Sequence, residues 1–269
     1  MKLSEATSIL TDAGVEDARH DARELFRKIG GFKDYELLSP NLCSNSAELV
    51  RAVKRRAERE PLQYILGEVD FYRESYEVTP DCLIPRQETE LLVDFAVKNI
   101  PHGKNFIDLC TGSGCVAVST LCNTAGTSAV AVDLSESALK LAKKNAKKNG
   151  VADRVSFICS DVLKSPVADS VFAVLSNPPY VTETAYSTLE PEIYKEPRMA
   201  FVAGDDGLIF YRRIVYLYKD KIEKGGFFAF EIGYDQGNSL RELAALHGMS
   251  SEIIKDFSSN DRIAVLKFK

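Results

Sequence analysis

Four consecutive residues, Asn177, Pro178, Pro179 and Tyr180, most clearly suggest a chemical role in this chain. The prolines restrict the backbone and remove two N–H donors, so the loop presents two acceptors, the Asn177 side-chain oxygen and the Pro178 carbonyl. Tyr180 adds an aromatic face. A planar NH2 group is a poor nucleophile because its lone pair is delocalised, and two acceptors that bind both protons favour a pyramidal nitrogen. The loop therefore predicts a site that binds and aligns such a group, with Asn177, Pro178 and Tyr180 as catalytic residues.

A glycine loop follows the apolar run 105–109, which predicts a strand. Gly112, Gly114 and Ala117 fit the pattern G-x-G-x-x-[GA], in which the glycines allow a tight turn and a close approach of the backbone to a ligand. Asp133 stands 19 residues after Gly114, at the end of the next predicted strand. Its carboxylate can accept hydrogen bonds from both hydroxyls of a ribose. These features together predict a site for a cofactor that contains adenosine.

The glycine pattern is also typical of nicotinamide dinucleotide sites, so the identity of the cofactor depends on nearby carboxylates. Asp108, just before the loop, would repel a pyrophosphate but would suit the ammonium group of S-adenosylmethionine. Asp161 follows the predicted strand 155–159 by two residues. With Val162 it is placed to bind the adenine amino group and cover the ring. These residues favour S-adenosylmethionine over a dinucleotide.

The composition narrows the class of protein. A chain of 269 residues predicts one large domain and a small one. The net charge of −5 does not supply the basic surface that a nucleic-acid partner requires. Six cysteines without C-x-x-C spacing and three scattered histidines argue against a metal site and a disulfide framework. The start resembles no signal peptide and no stretch is long enough to span a membrane, so we expect a cytoplasmic protein with no membrane association.

Three regions follow each other along the chain. Residues 1–67 carry apolar side chains at helical spacing and predict a small helical domain. Residues 68–80 alternate and are aromatic, which indicates a linking β-hairpin. Residues 81–269 alternate strands and helices and predict an α/β fold, with a mostly parallel sheet that carries one antiparallel strand at its end. The predicted strands are 105–109, 129–133, 155–159, 171–176, 226–232, 252–257 and 262–268.

A combination of motifs resembles one known family, the protein-(glutamine-N5) methyltransferases. That family methylates the Gln of the Gly-Gly-Gln motif in class I peptide chain release factors. The Asn-Pro-Pro motif alone is shared with DNA adenine and rRNA guanine methyltransferases, and the segments 83–90 and 196–208 narrow the resemblance. The motifs are REPLQY at 59–64, LIPRQETE at 83–90, the glycine loop, NPPY at 177–180, EPR at 196–198 and GDDGL at 204–208.

The resemblance implies a fold of the S-adenosylmethionine-dependent, Rossmann-like methyltransferase type. It implies methyl transfer from S-adenosylmethionine, which leaves S-adenosylhomocysteine, to a release factor that docks on the helical residues 1–67. It places the target amide against Asn177, Pro178, Pro179 and Tyr180. It places the cofactor near Thr111, Gly112, Ser113, Gly114, Asp133, Asp161, Val162 and Asn177.

The chain departs from the family pattern at three positions. Gln87 stands in place of a usual proline, and Cys110 and Ala203 stand in place of usual glycines. Three other functions use some of the same features. A nucleic-acid amino-methyltransferase acting on adenine N6 or guanine N2 would need a target-recognition domain or a basic face, and the sequence indicates neither. A catalytically silent binding subunit would not need the intact glycine loop and Asn177. A nicotinamide oxidoreductase would need a substrate acid or base that the sequence does not supply.

Overall fold

The computed structural model describes residues 1–39 and 42–268 of the chain. The described residues of 1–69 form one compact unit together with Glu190–Lys195. No helix in the described part of the chain is long and apolar enough to cross a membrane. The elements of this unit are α1 (Leu3–Asp12), α2 (Ala18–Lys28), α3 (Ala47–Ala57) and α4 (Leu62–Leu66), with a short 3₁₀ turn at Glu36–Leu38.

The helical unit forms where apolar spacing and capping residues predict it. Ser46 begins α3, and its hydroxyl accepts a hydrogen bond from the Leu49 backbone N–H at 3.2 Å. Leu10, Leu25 and Phe26 are completely buried between the helices. The sequence offered no indication that residues 190–195, far along the chain, would pack into this unit.

Ion pairs hold the distant segment 190–195 within the helical unit. The Glu192 carboxylate accepts from Arg56 Nη1 at 2.8 Å and from Arg59 Nη2 at 2.6 Å. Arg56 Nε also donates to Asp21 at 2.6 Å. Burial raises the pKa of Glu192, but the hydrogen bonds from Arg59 and Arg56 outweigh it and bring the pKa to about 2. These contacts are largely buried and hydrogen-bonded on several sides, so they specify the position of the segment.

The second unit comprises Asp70–Leu189 and Glu196–Lys269 in its described part. A two-stranded sheet joins β1 and β2, and a seven-stranded sheet contains the other strands. The strands are β1 (Glu68–Phe71), β2 (Glu74–Glu77), β3 (Asn105–Leu109), β4 (Ser128–Asp133), β5 (Val155–Cys159), β6 (Val171–Ser176), β7 (Ile222–Glu231), β8 (Met249–Lys255) and β9 (Asp261–Phe268). The helices are α5 (Glu90–Asn99), α6 (Cys115–Cys122), α7 (Glu136–Lys148), α8 (Glu183–Tyr186), α9 (Ile209–Tyr218) and α10 (Gly237–Leu246).

The large sheet has the strand order β5-β4-β3-β6-β7-β9-β8. Strands β3 to β7 run parallel, and β9 runs antiparallel to both β7 and β8. The predicted seven-stranded, mostly parallel sheet is therefore confirmed. The antiparallel strand is last in the chain, but it lies inside the sheet between β7 and β8 and not at the edge.

Helices cover both faces of the sheet, which explains the near-continuous apolar runs of its central strands. Side chains of α9 and α10 pack with alternate residues of β3, β6 and β7 in one core, while α5, α6 and α7 contact the strands from the other side. β7 begins four residues earlier than the prediction. Gly225, with φ +81°, and Gly226 interrupt its apolar pattern where the register against β6 shifts. The first residues of the strand could therefore not be recognised from the apolar pattern.

Candidate functional site

The carboxyl ends of β3, β4, β5 and β6 surround one pocket of the second unit. It contains about 1100 Å³ of space between protein atoms, part of which is open to solvent. The chain continues from β3 to β4 on one side, whereas β6 lies on the other side, so the pocket occupies a switch point of the sheet. Of the predicted site residues, the pocket is lined by Thr111, Gly112, Ser113, Asp133, Asp161, Val162, Asn177 and Pro179. Gly114, Pro178 and Tyr180 do not line it.

The glycine loop turns sharply after β3 through three residues in the left-handed region. The φ angles are +61° at Cys110, +54° at Gly112 and +82° at Gly114. A side chain in this region costs on the order of 1–2 kcal/mol, which explains why a glycine is usual at the position of Cys110. Thr111 N donates to Val132 O at 3.0 Å and ties the loop to the end of β4.

Asp133 connects the loop to the next helix. Its Oδ2 accepts from Gly112 N at 2.9 Å, and its Oδ1 accepts from Ser135 N at 2.9 Å. Burial raises the pKa of Asp133, while the backbone hydrogen bonds from Ser135 and Gly112 favour the ionised form. A carboxylate has about four lone-pair sites, so both oxygens retain the capacity to accept from a ligand in the pocket.

Gly114 serves helix packing and not the wall of the pocket. A Cβ atom at this position would lie 3.1 Å from Ala142 Cβ, a residue of α7. Gly112 is different, because a Cβ there would meet no atom closer than Cys82 Cβ at 3.9 Å. The two glycines of the motif therefore have different functions: Gly114 lets α7 approach, and Gly112 keeps the backbone open towards the pocket.

Asp108 forms hydrogen bonds with the glycine loop and with α6, and it does not line the pocket. Its Oδ2 accepts from Thr111 Oγ1 at 2.5 Å and from Ala117 N at 3.1 Å. The residue is 1% exposed, and burial raises its pKa to about 7. Asp108 Oδ1 has no hydrogen-bond partner among the described residues, and the expectation that this carboxylate faces the ammonium group of a cofactor stays a prediction. Its position on β3 points it towards α6, on the opposite side of the loop.

Two further predicted residues lie at the end of β5. Asp161 lines the pocket, and its Oδ1 accepts from Leu163 N at 2.9 Å. Its Oδ2 lies 3.7 Å from Lys164 Nζ on the exposed side. Val162 is buried and contributes apolar surface beside it. A carboxylate next to an apolar wall suits a heterocycle that carries an amino group.

Asn177 lines the pocket just after the end of β6, and its side-chain amide is hydrogen-bonded to Thr89. Its Nδ2 donates to Thr89 Oγ1 at 3.1 Å, and the Thr89 hydroxyl donates to Glu231 Oε2 at 2.5 Å. No donor among the described residues reaches Asn177 Oδ1, which is left as an acceptor for a ligand. Neither Thr89 nor Glu231 was predicted, because they lie far from residue 177 in the sequence and Glu231 ends an apolar strand.

Tyr180 points away from the pocket. Its hydroxyl donates to Glu231 Oε1 at 3.3 Å, and burial raises its pKa. The loop that contains it is held by Gln236 Nε2, which donates at 3.3 Å to both Tyr180 O and Gly207 O. A Cβ at Gly207 would lie 2.3 Å from Tyr180 O, so only glycine fits there. Tyr180 thus supports the loop, and Asn177 is the side chain that this loop directs into the pocket.

A buried carboxylate joins the two segments that narrowed the family resemblance. Glu196 accepts from Ile84 N at 2.9 Å and pairs with Arg86, which lines the pocket. Pro197 and Met199 follow it and also line the pocket. The motifs at 83–90 and 196–198 were recognised in the sequence, but their contact with each other was not predicted.

The described residues contain no group of three or more His, Cys, Asp and Glu side chains arranged to hold a metal ion. Three cysteines line the pocket. Burial raises the pKa of Cys82 to about 12 and raises those of Cys110 and Cys115 as well. Their thiols therefore stay protonated at neutral pH, which argues against a role as nucleophiles.

Comparisons with known families agree with this geometry. The family model described as "Methyltransferase small domain" matches residues 87–202, and the one described as "PrmC N-terminal domain" matches residues 2–67. The chain is similar to a release factor glutamine methyltransferase of Caulobacter vibrioides, with 33% identity over 95% of this chain and 91% of that protein. It is also similar to one of Thermodesulfovibrio yellowstonii, with 36% identity over 85% of this chain and 84% of that protein.

The fold is similar to that of a solved structure at lower identity. The ribosomal protein L11 methylase of Lactobacillus delbrueckii subsp. bulgaricus superposes with a TM-score of 0.53. The match covers 71% of this chain and 84% of that chain, with 16% identity. This likeness supports the methyltransferase fold of the second unit.

The two glycines of the loop provide a matched pair of substitutions. Gly112→Ala and Gly114→Ala both place a side chain in the left-handed region, at a cost of about 1–2 kcal/mol. Gly114→Ala also forces a Cβ against Ala142, so we expect it to lower the free energy of unfolding by about 1–3 kcal/mol more than Gly112→Ala. Urea denaturation of both variants measures the difference. Equal losses would show that the approach of α7 does not require Gly114.

Proposed function

The chain belongs to the release factor glutamine methyltransferase family, and we propose that it methylates the side-chain amide nitrogen (N5) of the Gln in a Gly-Gly-Gln motif. The methyl donor is S-adenosylmethionine, and the protein that carries the motif is a class I peptide chain release factor. The observation that carries this proposal is the unpaired Oδ1 of Asn177, which lies in the wall of the same pocket as Asp133 and Gly112.

The pocket offers donor and acceptor groups that suit S-adenosylmethionine. Gly112 leaves room where a side chain would otherwise project, and Asp133 retains lone pairs for two ribose hydroxyls. Asp161 and Val162 offer a carboxylate and an apolar surface for the adenine. Thr111 and Ser113 complete this wall, and Gly114 lets α7 pack behind the turn.

S-adenosylmethionine would supply an electrophilic methyl group on a sulfonium, which is a good leaving group. The new N–C bond would replace the S–C bond, S-adenosylhomocysteine would leave, and the amide nitrogen would release one proton to solvent. The protein therefore has to bind and orient the target amide. Asn177 Oδ1, in the wall of the pocket, accepts one N–H group, and the carbonyl of the adjacent Pro178, which does not itself line the pocket, is proposed from the sequence motif to accept the other. The nitrogen lone pair is then directed at the methyl carbon, and charge on the nitrogen is stabilised. Pro179 lines the pocket beside Asn177, and Tyr180 supports the loop through Glu231. No histidine lies in the described wall of the pocket, which is consistent with a reaction that needs no strong general base.

The helical residues 1–67 are proposed to dock the release factor. They contain no cofactor motif, and they match a family model of their own. Exposed apolar side chains on this unit, Tyr35 and Leu38, offer contact surface for a protein partner. The net charge of −5 gives no general attraction to nucleic acid. The cytoplasmic location expected from the sequence stays a prediction.

The function is tested by intact-mass analysis of a class I release factor after incubation with the protein and S-adenosylmethionine. We expect a gain of one methyl group, which peptide fragmentation locates on the Gln of the Gly-Gly-Gln motif. A release factor with Ala in place of that Gln is the control. An unchanged mass, or methylation of RNA or DNA in parallel reactions, would contradict the proposed substrate. A short Gly-Gly-Gln peptide methylated as efficiently as the intact factor would contradict the docking role of residues 1–67.

The assignment of the cofactor is tested at Asp133. We expect Asp133→Ala to remove charge-assisted hydrogen bonds to the ribose and to weaken binding of S-adenosylmethionine by on the order of 1.5–3 kcal/mol, or roughly 10- to 150-fold. Titration calorimetry measures the affinity, with Asp153→Ala, at an exposed position outside the pocket, as the matched control. Equal affinities of the two variants would remove Asp133 from the cofactor site.

A further inference from the structure

A buried carboxylate lies beneath the loop that carries Asn177. Glu231 ends β7 and is 2% exposed, and Thr89, at the start of α5, is also 2% exposed. Thr89 Oγ1 donates a hydrogen bond to Glu231 Oε2 at 2.5 Å, and Asn177 Nδ2 donates one to Thr89 Oγ1 at 3.1 Å. Two side chains that are distant in the sequence therefore form a continuous chain of hydrogen bonds that ends at the wall of the pocket.

The direction of these hydrogen bonds follows from the number of protons available. A threonine hydroxyl has one proton, and the Thr89 hydroxyl donates it in a hydrogen bond to the Glu231 carboxylate. The Thr89 oxygen can then only accept from Asn177, so it must face the NH2 group of that side chain and not its oxygen. Without Glu231, the Thr89 hydroxyl would be free to donate to Asn177 Oδ1. The Asn177 side-chain amide would then keep a hydrogen bond to Thr89 after a rotation by 180°.

The charge on Glu231 is supported by its surroundings. Burial raises its pKa to about 7, while hydrogen bonds from Thr89 and Tyr180 and the nearby Arg262 favour the ionised form. Glu88 opposes it through its own negative charge. Higher pH favours the carboxylate form, which acts only as an acceptor.

We propose that Thr89 and Glu231 are positioning residues that set the orientation of the Asn177 amide, so that its oxygen and not its NH2 group faces the target. This inference deepens the proposed function, on which its catalytic consequence rests. A wrongly oriented amide would present two donors to a target NH2 group that itself offers only donors. Glu231 also accepts from Tyr180, so one buried carboxylate holds both ends of the Asn177–Tyr180 loop.

The orientation is measured by NMR on the full-length protein labelled with ¹⁵N, at pH 8.5. The side-chain NH2 signals of Asn177 are assigned by their loss in Asn177→Ala, and their exchange with solvent is compared between variants. We expect protection in the wild type and in Thr89→Ser, and loss of protection in Thr89→Val, which keeps the shape of threonine but has no hydroxyl. Unchanged exchange in Thr89→Val would overturn the proposal. This measurement does not depend on a release factor, so it is separate from a failure of the proposed function.

The catalytic consequence is measured by single-turnover methylation at saturating S-adenosylmethionine. We expect Thr89→Val to lower the rate by roughly 10- to 100-fold through misplacement of the acceptor, and Thr89→Ser to restore most of it. Added to Asn177→Ala, Thr89→Val should change the rate by less than about twofold, because both act through one group. The same loss in both backgrounds would overturn the proposal.

Glu231→Gln provides a second test of the Asn177 orientation if Thr89→Val does not fold. Its amide can offer either oxygen or NH2 to Thr89, so the preference for one Asn177 orientation is removed. We expect the same loss of NH2 protection and the same absence of an added effect on Asn177→Ala. Wild-type protection in Glu231→Gln would exclude the carboxylate as the group that sets the orientation.

Discussion

The parallel direction of β3, β4, β5 and β6 is the constraint on which the rest of this site depends. Parallel strands all end at the same edge of a sheet, so the loops that follow them must meet there. The glycine loop, Asp161 and Asn177 follow the ends of β3, β5 and β6, and Asp133 is the last residue of β4, although these residues are far apart in the chain. The sheet therefore assembles the pocket, and the loops supply its chemistry.

Buried carboxylates then hold the loops in place. Asp108 accepts from the glycine loop and from α6, and Glu196 accepts from the segment that precedes α5. Glu231 accepts from Thr89 and Tyr180 beneath the Asn177 loop. Each of these side chains is at most 5% exposed and accepts at least two hydrogen bonds, although Asp108 Oδ1 has no partner among the described residues. Such groups fix positions of atoms that apolar packing alone would leave less defined.

Features encoded locally could be predicted from the sequence. Short apolar runs that alternate with helical spacing identified five parallel strands, and the Asn-Pro-Pro-Tyr motif identified the loop whose Asn177 lines the pocket. Contacts between distant residues could not be predicted in this way. Thr89 lies 142 residues from Glu231, and Ala142, which explains Gly114, lies on another helix. The contacts of Asp108 with Thr111 and Ala117 could not be predicted either, because sequence spacing gives the end of a strand but not the face on which a side chain lies.

We propose that Asn177 acts as an acceptor for the target amide in the transition state. This proposal is tested most directly by the single-turnover rate of Asn177→Ala on a class I release factor at saturating S-adenosylmethionine, with Asn99→Ala, at an exposed helix end, as the control. We expect a rate lower by roughly 10²–10³-fold, the size expected for one positioned hydrogen bond, with cofactor affinity retained. A rate near that of the wild type would contradict the proposal, because Asn177 and its supporting residues would then serve only to end β6.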